Sequence, residues 1–236
     1  MKIPYGRIGG KRLLAKYILS LFPSSYFTYV EPFFGAGSVF FKIKDYHNHK
    51  EVINDLDPKI TTVLKLLKNH SEYVDKHINR HATKKYFDKI KNKTDGLSIL
   101  ESFKWSFANK GKSYDEKRKD IKTDYKPYGE RLKNVIIKNE SFEKVVKEYD
   151  DPTTLFYLDP PYEITLENMG KEYYEKIGIT PEEVYNVCKN IKGMFILSYN
   201  YSPHIVELFK EFDIKIVKVY YSLSRIFKKE VVIKNF

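Results

Sequence analysis

The apolar run Thr154-Leu155-Phe156-Tyr157-Leu158 leads directly into Asp159-Pro160-Pro161-Tyr162. A strand that is apolar on both faces must be covered on both, which is the situation of a strand inside a parallel sheet flanked by helices. The two prolines stop it. Neither has a backbone N–H to extend a ladder, and both hold φ near about −65°. The result is a stiff loop at the carboxyl end of a buried strand, where sheets of this kind place their ligands. Its residue types suit an amino group on a planar base. Asp159 can accept one N–H, the Pro160 carbonyl can accept the second, and Tyr162 offers a flat face for stacking.

The rest of the chain repeats a strand–turn–helix rhythm on either side of an interruption. Tyr26 to Val30 reads as a first strand, followed by the glycine turn Phe33-Phe34-Gly35-Ala36-Gly37, with Ser38 as the expected cap of a helix beginning at Val39. A short helix carrying Leu13, Leu14, Tyr17, Ile18 and Leu21 precedes that strand. Glu51 to Asp55 reads as a second strand and Pro58 opens a helix. The rhythm returns with strands at Val135–Lys138, Leu155–Asp159 and Met194–Ser198 and helices at Phe142–Tyr149, from Pro181, and at His204–Phe212. Ile214–Tyr221 and Val231–Lys234 form a closing β-hairpin. The expected fold is therefore α/β, a Rossmann-like sheet with helices on both faces.

Residues 70–133 break the pattern. They read as a small, mainly helical insertion in a domain made of residues 1–69 and 134–236. Between Lys84 and Lys133 there are 15 Lys/Arg against 8 Asp/Glu, which is +7 of the chain's formal charge of +11. Such a surplus points to a polyanion, although a chain rich in Lys, Asn, Ile and Tyr also gains lysines without any ligand. Asn109 to Lys126 has almost no apolar periodicity and is expected to be a mobile loop. With 42% hydrophobic and 16% aromatic residues, the 236-residue chain can bury a substantial core.

Several classes are disfavoured. One cysteine, Cys188, excludes a disulfide framework and reads as core. His47 and His49 lack the partners a metal site needs, and no metal is expected. Neither a Ser/His/Asp order nor a phosphate-loop sequence is present. No signal-like run and no apolar stretch of about 20 residues occurs, so the expectation is a soluble, cytoplasmic protein, or one in the host compartment holding DNA if viral.

Three constellations converge. Glu31-Pro32-Phe33-Phe34-Gly35-Ala36-Gly37 lets a ligand approach the backbone closely, and Glu31 would suit an ammonium group. The third glycine of a dinucleotide fingerprint is absent. Asp55, 18 residues beyond Gly37, can accept ribose hydroxyls, or it can cap the following helix. The third is the loop Asp159–Tyr162.

In order, Gly9-Gly10-Lys11, Tyr29-Val30-Glu31-Pro32-Phe33-Phe34-Gly35-Ala36-Gly37, Asn54-Asp55, Asp159-Pro160-Pro161-Tyr162 and Leu197-Ser198-Tyr199-Asn200 resemble the Dam-like (D12 class, α group) adenine-N6 DNA methyltransferases across nearly the whole chain. The resemblance implies a class I methyltransferase fold and S-adenosylmethionine as cofactor. It implies a pocket lined by Gly9, Gly10, Lys11, Glu31, Phe33, Gly35, Gly37, Asp55 and Asp159. Asp159 and the Pro160 carbonyl would hold N6 of a flipped adenine, with Tyr162 stacked on the base. The 70–133 insertion would read double-stranded DNA. Lys110, Lys112, Arg118, Lys126 and Arg131 are the expected contacts; Arg118 and Arg131 could each be bidentate to guanine, and Arg131 could equally be structural. The expected state is a monomer or weak homodimer, in a restriction-modification setting. Two positions depart from the family pattern. Ser141 stands where an acid is usual, with Glu140 as a substitute, and Ile8 stands where an aromatic is common. RNA as substrate, and a silent nucleic-acid-binding module, are the rival readings.

Overall fold

The computed structural model describes residues 1–6, 14–118, 120–161, 179–221 and 226–236. Among them, seven strands form one sheet: β1 (Thr28–Glu31), β2 (Lys50–Asn54), β3 (Ile136–Lys138), β4 (Thr154–Leu158), β5 (Met194–Asn200), β6 (Asp213–Tyr221) and β7 (Ile226–Lys234). Their order is β3-β2-β1-β4-β5-β7-β6. The first five pair in parallel, and β7 runs antiparallel between β5 and β6.

β4 is buried along its whole length, and the alternation of its side chains divides the core. Leu155 and Tyr157 face one cluster together with Tyr29, Ile53, Ile196 and Val232. Phe156 and Leu158 face the other, with Val30, Val52, Phe195, Leu197 and Val231. The first cluster is covered by α1 (Ala15–Ser20), α2 (Pro58–His77), α3 (Lys84–Ile90), α4 (Gly96–Trp105) and α5 (Lys126–Leu132). The second is covered by α6 (Phe142–Tyr149), α7 (Pro181–Lys189) and α8 (Pro203–Leu208). Cys188 lies in this second layer, where burial raises its thiol pKa, as suits a core residue. No described helix is long and apolar enough to cross a membrane.

Local chemistry sets the helix starts. Asp57 caps α2 by accepting from the Lys59 N–H, with Pro58 in its first turn. Thr180 and Glu183 form a reciprocal capping box at α7. The helix expected from Val39 is only a 3-10 turn, Phe40–Lys42, and Ser38 does not cap it. Phe34, Phe40 and Phe41 pack edge to face there, and Arg131 takes the Phe40 carbonyl at 3.2 Å.

The expected boundary at 69/70 falls inside α2, although His70 departs from helical geometry. Phe87, Leu100, Phe103, Trp105, Tyr125, Tyr128 and Leu132 share the first cluster with residues from outside 70–133. Within the stretch expected to be a mobile loop, residues 121–126 are tied down. Asp75 accepts from the Tyr125 and Lys126 N–H groups, and Arg80 donates to the carbonyls of Ile121 and Thr123. Polar anchors of this kind leave no apolar period to read.

Arg131 corrects an expectation. It is 4% exposed and lies in the core rather than on an interface. Its two Nη atoms donate to the Glu51 carboxylate at 2.5 and 2.7 Å, and its guanidinium lies over the rings of Phe40 (3.7 Å) and Tyr46 (4.0 Å). It fastens α5 to β2. Arg131→Ala is expected to cost about 3–5 kcal/mol in urea unfolding, because Glu51 is left buried without its partner, whereas Glu51→Leu with Arg131→Met should cost far less. A single variant of near wild-type stability with impaired DNA binding would contradict this assignment.

Candidate active site

Three neighbouring parallel strands deliver three acids to one edge. β1 lies between β2 and β4, with Val30 paired to Val52 on one side and Phe156 on the other. β1 ends at Glu31, and β2 and β4 end one residue before Asp55 and Asp159.

The glycine turn is built for close approach. Gly35 and Gly37 have φ of +54° and +67°, in the left-handed region that disfavours a Cβ. Their surroundings differ. A Cβ at Gly37 would lie 2.4 Å from the Phe34 ring, whereas one at Gly35 would meet nothing within 4 Å. Gly37 is thus a packing glycine and Gly35 borders open space. The Gly35 N–H donates to Asp55 Oδ2 at 2.8 Å, and its carbonyl accepts from the Tyr5 hydroxyl at 3.1 Å. Asp55 Oδ1 accepts from the Asp57 N–H at 2.9 Å. Asp55 therefore stiffens the turn, while Asp57 performs the capping.

Asn54, buried at the end of β2, is a clamp that sequence reasoning did not assign. Its amide donates to the carbonyls of Pro32 (2.9 Å) and Glu140 (3.0 Å) and accepts from the Glu140 N–H (2.9 Å). It ties together the chain leaving β1, β2 and β3. The signals were its place beside Asp55 in a recognised motif and a polar residue closing the strand, and neither gives the clamp. Phe33, half-buried, packs at a tilt against Phe142 with ring centroids 4.9 Å apart. Leu56, next to Asp55, is 60% exposed. Ser141 caps α6 through Lys144 N, and Glu140 pairs with Lys144 at 3.2 Å.

Glu31 is 2% exposed and accepts from the Tyr29 hydroxyl at 2.8 Å. Burial pushes its pKa well above the carboxylate range; the Tyr29 bond opposes the shift, and the negative charge of Asp159 adds to it. Asp159 is half-buried and held by a short relay. The Tyr157 hydroxyl meets Ser198 Oγ at 2.9 Å, and Ser198 donates to Asp159 Oδ1 at 3.2 Å. The Tyr199 hydroxyl donates to the Pro161 carbonyl at 3.1 Å, which fixes the second proline. Pro160 is buried. Ser198 and Tyr199 belong to a recognised motif, but their supporting roles are visible only in three dimensions.

Gly9, Gly10, Lys11 and Tyr162 lie outside the described residues. Lys110 and Lys112 are exposed on the loop Phe107–Ser113, which is closed by the Phe107 N–H to Ser113 carbonyl bond at 2.8 Å. Phe107 on that loop is 66% exposed. Arg118 is paired with Asp115 at 3.3 Å, and Lys126 with Glu72 at 3.2 Å.

The D12 class N6 adenine-specific DNA methyltransferase family matches residues 8–104 and 99–223 of the chain. The Type II methyltransferase M1.LlaDCHI of Lactococcus lactis subsp. cremoris is 28% identical over 87% of this chain and 84% of its own length. M.MjaIII of Methanocaldococcus jannaschii is 25% identical over 79% and 78%, and M.CviBI of Paramecium bursaria Chlorella virus NC1A is 24% identical over 78% and 80%. The match spans most of the sequence, and the chain belongs to the D12 class of N6 adenine-specific DNA methyltransferases.

Proposed function

We propose that S-adenosylmethionine binds across the carboxyl ends of β1, β2 and β4, and that Asp159 and Pro160 present N6 of an extruded adenine to it. The observation that carries this reading is that three adjacent parallel strands end at Glu31 and just before Asp55 and Asp159, with the Gly35 N–H bonded to Asp55. The residues fit the cofactor's parts. Glu31 suits the ammonium of the methionine portion, and Gly9-Gly10-Lys11 would close over it. Asp55, just past the end of β2, is the acid placed for the ribose hydroxyls, and Phe33 and the exposed Leu56 offer apolar faces to its adenine. When bound, the cofactor supplies an electrophilic sulfonium methyl group.

The chain's own residues do the rest. The lone pair of adenine N6 is shared with the ring, so the amine is a poor nucleophile. Two acceptors, the Asp159 carboxylate and the Pro160 carbonyl, draw its two hydrogens toward tetrahedral geometry and localise the lone pair. N6 then gains the methyl and loses one proton, for which Asp159 is the nearest acceptor. Alignment of this kind can supply up to about 7–11 kcal/mol. Tyr162 would stack on the base and offset part of the few kcal/mol needed to unstack it. Lys110, Lys112, Arg118 and Lys126 of the 70–133 insertion would approach the duplex, with Phe107 as the apolar side chain beside them. A monomer or weak homodimer and a DNA-containing compartment suit this reading.

Two predictions follow from the site. Asp159→Ala should lower tritium transfer from cofactor to duplex DNA by at least about 100-fold, the scale of losing a positioned acid–base group. Transfer near the wild-type rate would refute its role. Tyr162→Ala should be severe and Tyr162→Phe mild, and equal losses would count against stacking.

A third concerns protons. Glu31 has a raised pKa in the free protein, so it holds its proton above the ordinary carboxylate range. A cation docking beside it favours the ionised form, so cofactor binding should release a proton and tighten as pH rises toward the raised pKa. Calorimetry in buffers of different ionisation heat should show that release for the wild type and not for Glu31→Gln. Identical proton counts would show that Glu31 does not face the ammonium.

A further inference from the structure

The β6–β7 hairpin is longer than the sheet it closes. β7 pairs with β5 only from Lys234 to Glu230, the last pair being Asn200 with Glu230. Residues 226–229 of β7 lie beyond the last β5 pair and remain in register with β6. At about 3.3 Å per residue, this two-stranded ribbon projects roughly 13 Å past the end of β5. It projects on the catalytic side, because β5 and β4 point their carboxyl ends the same way.

The projecting part is basic. Lys218 and Lys229 are directly opposite each other in register and both are exposed. Like charges facing across a strand pair destabilise it, with Cβ atoms only about 4.5–5.5 Å apart. Among the described residues, neither lysine has a carboxylate at ion-pair distance. Phe227, two residues before Lys229 on β7, is 70% exposed. Lys229 is also linked to the active edge: its carbonyl accepts from the Tyr201 N–H at 3.2 Å, and its ammonium lies 4.9 Å from the centre of the Tyr201 ring. Tyr201 directly follows Asn200, the last residue of β5. Ser198, which holds Asp159, is in register with Val232, three residues from Lys229. The lysine pair therefore stands about 10 Å beyond the catalytic carboxylate along the strand direction.

We propose that Lys218 and Lys229 form a phosphate clamp for duplex DNA, separate from the lysines of the 70–133 insertion and on the opposite flank of the catalytic loop. A cross-strand pair of like charges is relieved when an anion lies between them, and a duplex offers one negative charge per about 1.7 Å of its length. The clamp rests on the reading of duplex DNA as substrate. It is sequence-independent: it holds the duplex against the catalytic edge while the insertion reads the bases.

The test compares DNA affinity against salt for four proteins. Lys218→Ala with Lys229→Ala should weaken binding of duplex DNA roughly tenfold and reduce the slope of log affinity against log salt by about 2. Cofactor affinity should be unchanged, and Tm should not fall, since a repulsive pair is removed. Lys218→Arg with Lys229→Arg should restore both affinity and slope. Lys65→Ala with Lys147→Ala removes the same charge from exposed helix positions on α2 and α6 and should leave the slope nearly intact. An unchanged slope in the ribbon variant, or an equal loss in the Lys65/Lys147 control, overturns the clamp. Failure of the wild type to bind duplex DNA overturns the substrate reading instead.

Discussion

The parallel pairing of β1 with β2 on one side and β4 on the other is the constraint on which the site depends. It brings the carboxyl ends of three adjacent strands to one line, and each strand end carries an acid. Such a line of negative groups is unfavourable in a bare protein. Glu31 shows the strain in its raised pKa, to which burial and the charge of Asp159 both contribute. Asp55 is compensated by two backbone N–H groups. An edge with this charge pattern suits a ligand carrying positive charge at one end and hydroxyls at the other.

Precision at this edge comes from strands rather than loops. Tyr157 and Ser198 sit inside β4 and β5 and hold Asp159 through two hydrogen bonds. Tyr199, from the next position of β5, holds Pro161. Asn54 locks the segments leaving β1 and β3 to the end of β2. A reacting group set on rigid elements and fixed by a second layer of hydrogen bonds keeps its geometry when the substrate arrives. The ion pair of Arg131 with Glu51 performs the equivalent task one layer deeper, joining the basic 70–133 segment to the sheet.

Much of this was legible in the sequence, for identifiable reasons. β4 announces itself because it is apolar on both faces, and α6 was readable as a helix over Phe142–Tyr149, although its Ser141 cap was not. Gly35 and Gly37 were readable as a turn, but not their division of labour, which depends on the Phe34 ring. Residues 121–126 misled because they are held by Asp75 and Arg80, polar anchors distant in sequence. Arg131 misled for a related reason: a guanidinium has the same sequence signature on a surface as in a buried bidentate pair. Ser38 looked like a cap, yet aromatic packing and the Arg131 bond to Phe40 leave only a 3-10 turn after it.

The central claim is geometric: one carboxylate and one peptide oxygen grip the amine of an extruded adenine. A crystal structure with duplex DNA and a non-reactive cofactor analogue tests it most directly. The account predicts adenine N6 within hydrogen-bond distance of both an Asp159 oxygen and the Pro160 carbonyl. A base bound in the pocket with its N6 turned away from Asp159 would contradict it.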